Sequence, residues 1–255
     1  KQETLQAMDF DLQKFSQEFE CNFLGSSGTL IEGSKLEQLV YRDPIKSSQQ
    51  FSVYEEPIKD HIYACIVDVS RGKGLDYSAF QLIDVTDMPY RQVCVYRDNN
   101  ITPIDYAEII HRTIERYNEA YTLIEINDIG EQVAEVLHYE FECESLLNTE
   151  SAGRSGKRVS TGFGKNSDKG VRTTKSVKSI GCNMLKMLVE QDQLILNDFQ
   201  TINELSTFSR KGVSYEAESG CHDDLVMGLV LFAWLTDQMF FREITDINTL
   251  QKLRS

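Results

Sequence analysis

Four carboxylates in this 255-residue chain stand where a charge is costly or where a helix begins. Asp68 closes a near-continuous apolar run over residues 62–67, and Glu125 stands near the end of a second run over 121–126, followed by Asn127 and Asp128. Runs that are apolar on both parities read as strands buried on both faces. A charge in such a strand is expensive unless it is paired or binds a metal, so Asp68 is either ion-paired in the core or placed to hold a cation. Asp223 and Asp224 precede a long apolar segment, 225–241, that reads as a helix. Capping and the helix dipole account for one of them, and His222-Asp223-Asp224 is more than a cap requires. Asp76 stands nearby, across a hairpin from Asp68. Acids fixed on rigid elements and converging on one edge suit Mg²⁺ or Mn²⁺, hard cations that prefer oxygen ligands. Two such ions about 4 Å apart activate a water and stabilise the leaving oxygen in phosphodiester hydrolysis.

The elements that must position these acids follow from periodicity and turn chemistry. Residues 62–67 and 76–83 flank a Gly-rich turn at 70–74 and read as a hairpin. Residues 91–96 alternate as a third strand. Thr102 with Pro103 marks a helix start, and apolar residues at helical spacing run from Tyr106 to Tyr117. A strand over 121–126, a helix over 130–139 and a short strand over 144–148 follow. Three meandering strands and then alternation predict an α/β fold, a mixed sheet with helices on its faces. Further on, the pattern predicts a helix over 178–194, a short strand at 194–196, a helix over 201–208, a turn with a strand tail over 210–215, and one continuous helix over 225–241. Before the hairpin, Phe10, Leu12, Phe15, Phe19 and Phe23 give helical spacing over 5–23, Gly25-Ser26-Ser27-Gly28 breaks it, and a short helical piece follows at 34–39. Residues 1–56 read as an N-terminal extension, and 57–255 as the main domain.

Net charge is −14, from 40 acids and 26 bases, which argues against a uniformly basic nucleic-acid binder but leaves room for a local basic surface. That surface is conspicuous. Residues 151–178 hold Arg154, Lys157, Arg158, Lys165, Lys169, Arg172, Lys175 and Lys178 against the single acid Asp168. The stretch is rich in Gly, Ser and Thr and reads as a long exposed loop or ribbon, a candidate contact to a phosphate backbone. Gly-Lys pairs at 156–157 and 164–165 lack the upstream Gly and following Ser or Thr of a phosphate-cradling loop, so no ATPase site is expected. The six cysteines, Cys21, Cys65, Cys94, Cys143, Cys182 and Cys221, offer no zinc-type spacing and suit reduced thiols. No run of 18 apolar residues offers a transmembrane helix and no signal peptide opens the chain, so neither membrane insertion nor secretion is expected. The chain opens on Lys1 rather than Met, which fits a piece of a longer protein.

An acid on the first strand, an acid on the fourth and an acid on the last helix resemble the RNase H-like, integrase/resolvase-type nuclease fold. More closely, Val67-Asp68-Val69-Ser70-Arg71-Gly72-Lys73-Gly74-Leu75-Asp76-Tyr77-Ser78, with Leu123-Ile124-Glu125 and His222-Asp223-Asp224-Leu225-Val226, resembles the nuclease domain of the large terminase subunit of T-even-type tailed bacteriophages. The set covers about residues 56–245. The resemblance implies a Mg²⁺-dependent endonuclease, with Mn²⁺ able to substitute, that cuts concatemeric double-stranded viral DNA at the start and end of head filling. It implies work beside an upstream ATPase domain, the portal and the small terminase subunit, in the cytoplasm of the infected bacterium and docked on the procapsid. Carried over, Asp68, Glu125 and one of Asp223 and Asp224 are the catalytic metal ligands. Asp224 is favoured because it stands four residues before Gly228, as the family's helix acid stands before a small residue. Asp76 would support the ligands or bind a second ion, and His222 would act as general acid or base or merely hydrogen-bond. Arg154, Lys157, Arg158, Lys165, Lys169, Arg172 and Lys175 would meet DNA.

Two other readings are open to the same residues. One is a different RNase H-fold nuclease, such as a junction resolvase or an RNase H. The other is a non-catalytic module whose acidic face docks a basic partner, with Asp68 merely ion-paired.

Overall fold

The computed structural model describes residues 28–70, 77–151, 157–160 and 167–252. The helix expected over 5–23, most of the turn at 70–74, Cys21, Asp76, Arg154 and Lys165 lie outside these residues.

The hairpin is the middle of the sheet. Strand β3 (Tyr63–Asp68) pairs antiparallel with β4 (Ser78–Asp84), and β4 pairs antiparallel with β5 (Tyr90–Asp98). On the far side of β3, β6 (Tyr121–Ile124) runs parallel to it. The two short strands β1 (Lys46–Ser47) and β2 (Phe51–Val53) extend the other edge through β5, and β9 (Leu194–Ile195) adds parallel to β5, giving a seven-stranded mixed sheet. Residues 28–56, set apart as an extension by their mixed sequence, thus supply two strands to the sheet. The short helix α1 (Gly33–Leu36) sits in this segment, and Leu30, Ile31 and Leu36 lie in the core.

Helices cover both faces, as strands buried on both sides require. Helices α2 (Pro103–Arg116) and α3 (Gly130–Tyr139) pack on one face with Tyr63, Cys65, Val67 and Phe80. The Thr102 hydroxyl caps α2 by accepting from the Asp105 N–H, and Pro103 fills its first turn, as the sequence predicts. On the other face, α4 (Lys175–Glu190) and α6 (Asp224–Thr236) pack against each other and over Ala64, Ile66 and Leu123. Helix α5 (Phe199–Thr207) braces α6. Helix α6 is apolar all round because it is enclosed all round: Leu225, Val226 and every residue from Gly228 to Leu235 are buried.

The structure differs from the expected single helix over 225–241. It breaks after Thr236, and α7 (Met239–Lys252) leaves at 74°. The last turn of α6 tightens into i→i−3 bonds, Asp237 N–H to the Trp234 carbonyl and Gln238 N–H to Leu235, the pattern that ends a helix. No single helix among the described residues is long and apolar enough to cross a membrane. Two hairpins flank the carboxylate end. Strands β7 (Asn148–Ser151) and β8 (Lys157–Ser160) form an antiparallel ribbon where an exposed loop or ribbon is expected, and β10 (Phe208–Lys211) with β11 (Ser214–Ala217) forms the second. The short strand expected at 144–148 is displaced to β7, and only Leu146 there bridges to Thr122. Among the described cysteines, Cys65, Cys94, Cys143 and Cys182 are buried free thiols and Cys221 is exposed.

Candidate active site

Register puts the acids together. In the parallel pair β3–β6, Val67 lies opposite Ile124, so Asp68 and Glu125 are the next residues out at the same end. In the antiparallel pairs, Asp68 lies opposite Ala79 and Ala79 opposite Arg97. Side chains alternate along a strand, so Asp68 shares the face of Ala64 and Ile66, and Glu125 that of Leu123, which is the α6 face. Arg97 continues the parity of Val95, which packs with Ala79 and Leu225. The carboxylates and one guanidinium therefore line a row across four strands beneath the N-terminus of α6.

Glycine sets two of the close approaches. A Cβ on Gly130 would stand 1.8 Å from the Glu125 carbonyl oxygen, so only glycine lets α3 begin against the end of β6. A Cβ on Gly228 would stand 2.9 Å from the Gln81 Nε2. That nitrogen donates to the Leu225 carbonyl at 2.6 Å, tying the first turn of α6 to β4. Gln81 in turn accepts from Gln92 at 2.6 Å, and Gln92 accepts from the Asn197 and Asp198 N–H groups. This buried amide chain fixes sheet, α5 and α6 to one another, and satisfied polar networks of this kind specify position.

The Asp68 and Glu125 carboxyls lie close enough to act on each other. Burial, then Glu125, then Asp224 push Asp68 well above the usual carboxylate range. Asn127 Nδ2 donates to Glu125 Oε1 at 2.9 Å and orients it. The Tyr106 hydroxyl donates to the Asp68 carbonyl at 3.1 Å. Asp224 is 12% exposed, and burial raises its pKa against the opposing pull of Arg97 and His222. Its Oδ2 lies 3.7 Å from Arg97 Nη2 and 3.8 Å from His222 Nδ1, is buried, and has no hydrogen-bond partner among the described residues. Asp223 turns the other way, accepting from the Ala217 N–H at 3.2 Å. The structure thus brings Asp68, Glu125 and Asp224 to one place and Asp223 to the β11 side. His222 is at the rim, 40% exposed, edge-on to Tyr77. The other histidines lie elsewhere: His61 binds Asp84, His111 stacks on Phe141, and His138 meets Tyr139.

Glu204 and Arg97 are absent from the sequence reading. Glu204, on α5 and 4% exposed, accepts from the Leu225 and Val226 N–H groups at 2.8 and 3.2 Å with one oxygen. It performs the N-cap work on α6 that Asp223 does not. Its other oxygen lies 3.1 Å from Arg97 Nη2. Burial pushes Glu204 up to about 8 even against Arg97. Arg97 lies over the Tyr77 ring, 3.7 Å from its centroid, and so bridges Glu204, Asp224 and Tyr77.

Among the described residues, no three such groups stand in ready-made metal-binding geometry. Asp68 and Glu125 crowd each other, and Asp224 lies near Arg97 and His222 without a hydrogen bond to either from its Oδ2. A buried unpartnered carboxylate oxygen beside two mutually repelling carboxyls fits a hard divalent cation.

Of the expected DNA contacts, Lys157 pairs with Asp168, Arg172 pairs with Glu131 at 3.2 Å, and Lys169 lies over the Tyr139 ring with its Nζ donating to the Tyr139 hydroxyl at 3.0 Å. Arg158 and Lys175 are exposed. Val159 and Val171 anchor the ribbon region in the core, and Val171 bridges to Glu125.

Residues 65–233, well over half of the chain, match the family described as the terminase RNaseH-like domain. The large terminase nuclease from thermophilic phage G20c, solved with bound magnesium, superposes with TM-score 0.61 at 24% identity, covering 82% of this chain and 98% of that one. The large terminase nuclease domain of Thermus phage P74-26 gives TM-score 0.55 at 25% identity, covering 78% and 91%. The chain carries the RNase H-like α/β fold, and it belongs to the terminase RNaseH-like domain family.

Proposed function

We propose that this chain is a divalent-metal-dependent endonuclease domain of a packaging terminase, which cuts concatemeric double-stranded DNA when head filling begins and ends. The observation that carries the reading is the convergence of Asp68, Glu125 and Asp224 on one face at one sheet end. Support for the metal comes from the G20c nuclease, which has been solved with magnesium, cobalt and zinc. Asp68, Glu125 and Asp224 would hold Mg²⁺, and the ion would supply Lewis-acid stabilisation of charge on the phosphate and a water of lowered pKa. Asn127 orients Glu125, and Glu204 with Gln81 holds the helix end that carries Asp224. His222, at the rim, can hold or pass a proton at Nδ1 beside Asp224. The β7–β8 ribbon and its basic flank would meet the DNA backbone.

The wider setting is part of the same proposal: an ATPase domain in the same polypeptide, the portal and the small terminase subunit as partners, and action at the procapsid in the host cytoplasm. The solved relatives come from other phages, so the T-even kinship rests on the motifs alone. On this reading the chain itself turns over no ATP. Supercoiled plasmid should be nicked and linearised in Mg²⁺ or Mn²⁺, not in EDTA, at a rate indifferent to ATP. Preference for four-way junctions or RNA–DNA hybrids over plasmid would move the reading to a resolvase or an RNase H. No cleavage with any divalent metal would leave the acidic docking module.

A further inference from the structure

A second feature of the carboxylate end is built for an anion. A cavity of about 490 Å³ lies between the N-terminus of α4 and the β10–β11 hairpin, lined by Thr173, Thr174, Lys175, Lys178, Arg210 and Ser214 among others. Lys175, Lys178 and Arg210 make no ion pair with a carboxylate among the described residues, although Lys157 and Arg172 in the same basic region do. Glu216 is the one acid in the lining, and it faces Lys211 at 3.6 Å. Arg210 is held by its own hairpin, its Nε donating to the Gly212 carbonyl at 3.1 Å, and Lys178 lies over the Phe208 ring. Two further features favour negative charge. The Thr173 hydroxyl oxygen is buried without a hydrogen-bond partner among the described residues. Helix α4 is 16 residues long. The Thr174 hydroxyl accepts from the Val177 N–H at 3.3 Å, and the N–H groups of Lys175 and Ser176, with no carbonyl one turn back to bond, carry the positive end of the helix dipole.

Two stretches of chain link the cavity to the carboxylate end. Thr173 stands two residues past Val171, the bridge partner of Glu125, so its Cα lies within roughly 12 Å of that of Glu125. Tyr215, opposite Arg210 in the hairpin, stands two residues before Ala217, whose N–H binds Asp223. Each strand of a duplex presents a phosphate every ~3.4 Å of helix axis. A strand that offers one phosphate to the carboxylates therefore carries another over this cavity within a few nucleotides. We propose that the cavity between α4 and the β10–β11 hairpin binds a backbone phosphate of duplex DNA flanking the cut, through Lys175, Lys178, Arg210 and the α4 N-terminus. The identity of the ligand as DNA rests on the nuclease reading; the anion site does not.

The test is fluorescence-anisotropy binding of a 30-base-pair duplex in EDTA across a salt series, run beside Mg²⁺ cleavage of plasmid by the wild type. Lys178→Ala/Arg210→Ala should bind about 10–100-fold more weakly near 0.1 M salt, and the salt slope should be shallower by about 1 to 2, at roughly 0.9 for each phosphate the protein no longer neutralises. Lys186→Ala/Arg242→Ala removes the same charge from exposed ion pairs elsewhere and should change neither quantity. Unchanged binding and slope in the cavity variant, with its melting temperature preserved, overturns the proposal. So does an equal loss in the control. A wild type that fails to cut plasmid but loses slope in the cavity variant sinks the nuclease reading and leaves the anion site standing.

Discussion

Asp68, Glu125 and Asp224 crowd one another: burial, then Glu125, then Asp224 push Asp68 well above the usual carboxylate range, and Arg97 stands beside Asp224. If these groups are ligands, removing one should cost more than the about 10–100-fold expected of an outer-shell partner. Asp68→Asn, Glu125→Gln and Asp224→Asn should therefore each take Mg²⁺-dependent plasmid cleavage down by more than ~100-fold while circular dichroism stays unchanged. Near wild-type cleavage by any one would remove that residue from the site. The same crowding predicts a pH dependence. Folded-state pKa values above the ordinary one mean that the folded protein keeps protons which the unfolded chain has released. The stabilisation is whole below about pH 4, the ordinary carboxyl range. It drains away as pH rises through the raised values, up to about 8 for Glu204. In metal-free buffer the melting temperature should fall between pH 5 and pH 8, and Asp68→Asn should flatten that fall and melt higher at pH 8. Each ~1 kcal/mol relieved is worth ~2–4 °C in a domain of this size. A wild type whose melting temperature rises with pH over that window contradicts the electrostatics.

The element that decides the site is the start of α6, and it is held from outside. Glu204→Ala would leave two N–H groups uncapped, and losing an N-cap acceptor costs about 0.5–2 kcal/mol. Glu204→Gln keeps an acceptor for the N–H groups and should cost less than half as much in urea unfolding. Equal losses would mean that capping is not what the side chain does. This arrangement also shows where sequence reading stops. Asp68 and Glu125 were legible because each interrupts an apolar run at a strand end, and the strand order followed from the meander and alternation. Arg97 had only a weak signal: it shares the parity of Val95, which faces Leu225 of α6, but the irregularity at Val93 breaks the alternation before it. Glu204 had none, because its partners Arg97 and Leu225 are distant in sequence and its own helix looks ordinary. The break after Thr236 was hidden because an apolar pattern continues through it, and β1 and β2 are too short for alternation to show, whereas the apolar run at 194–196 did mark β9.

At the scale of the whole molecule, the acidic chain is organised so that parallel β3 and β6 deliver two carboxylates to one end, α6 delivers a third, and two hairpins and the start of α4 stand around them. Every part of the functional account depends on one point, that these three acids together bind a divalent cation. Metal binding tests it without reference to the DNA. Mn²⁺ titrated into the protein and followed by electron paramagnetic resonance should show saturable binding that Mg²⁺ displaces. Asp68→Asn, Glu125→Gln and Asp224→Asn should each weaken it by tenfold or more, and Asp223→Asn should weaken it least. Mn²⁺ binding that all three substitutions leave unchanged, or no saturable binding by the wild type, would contradict the account.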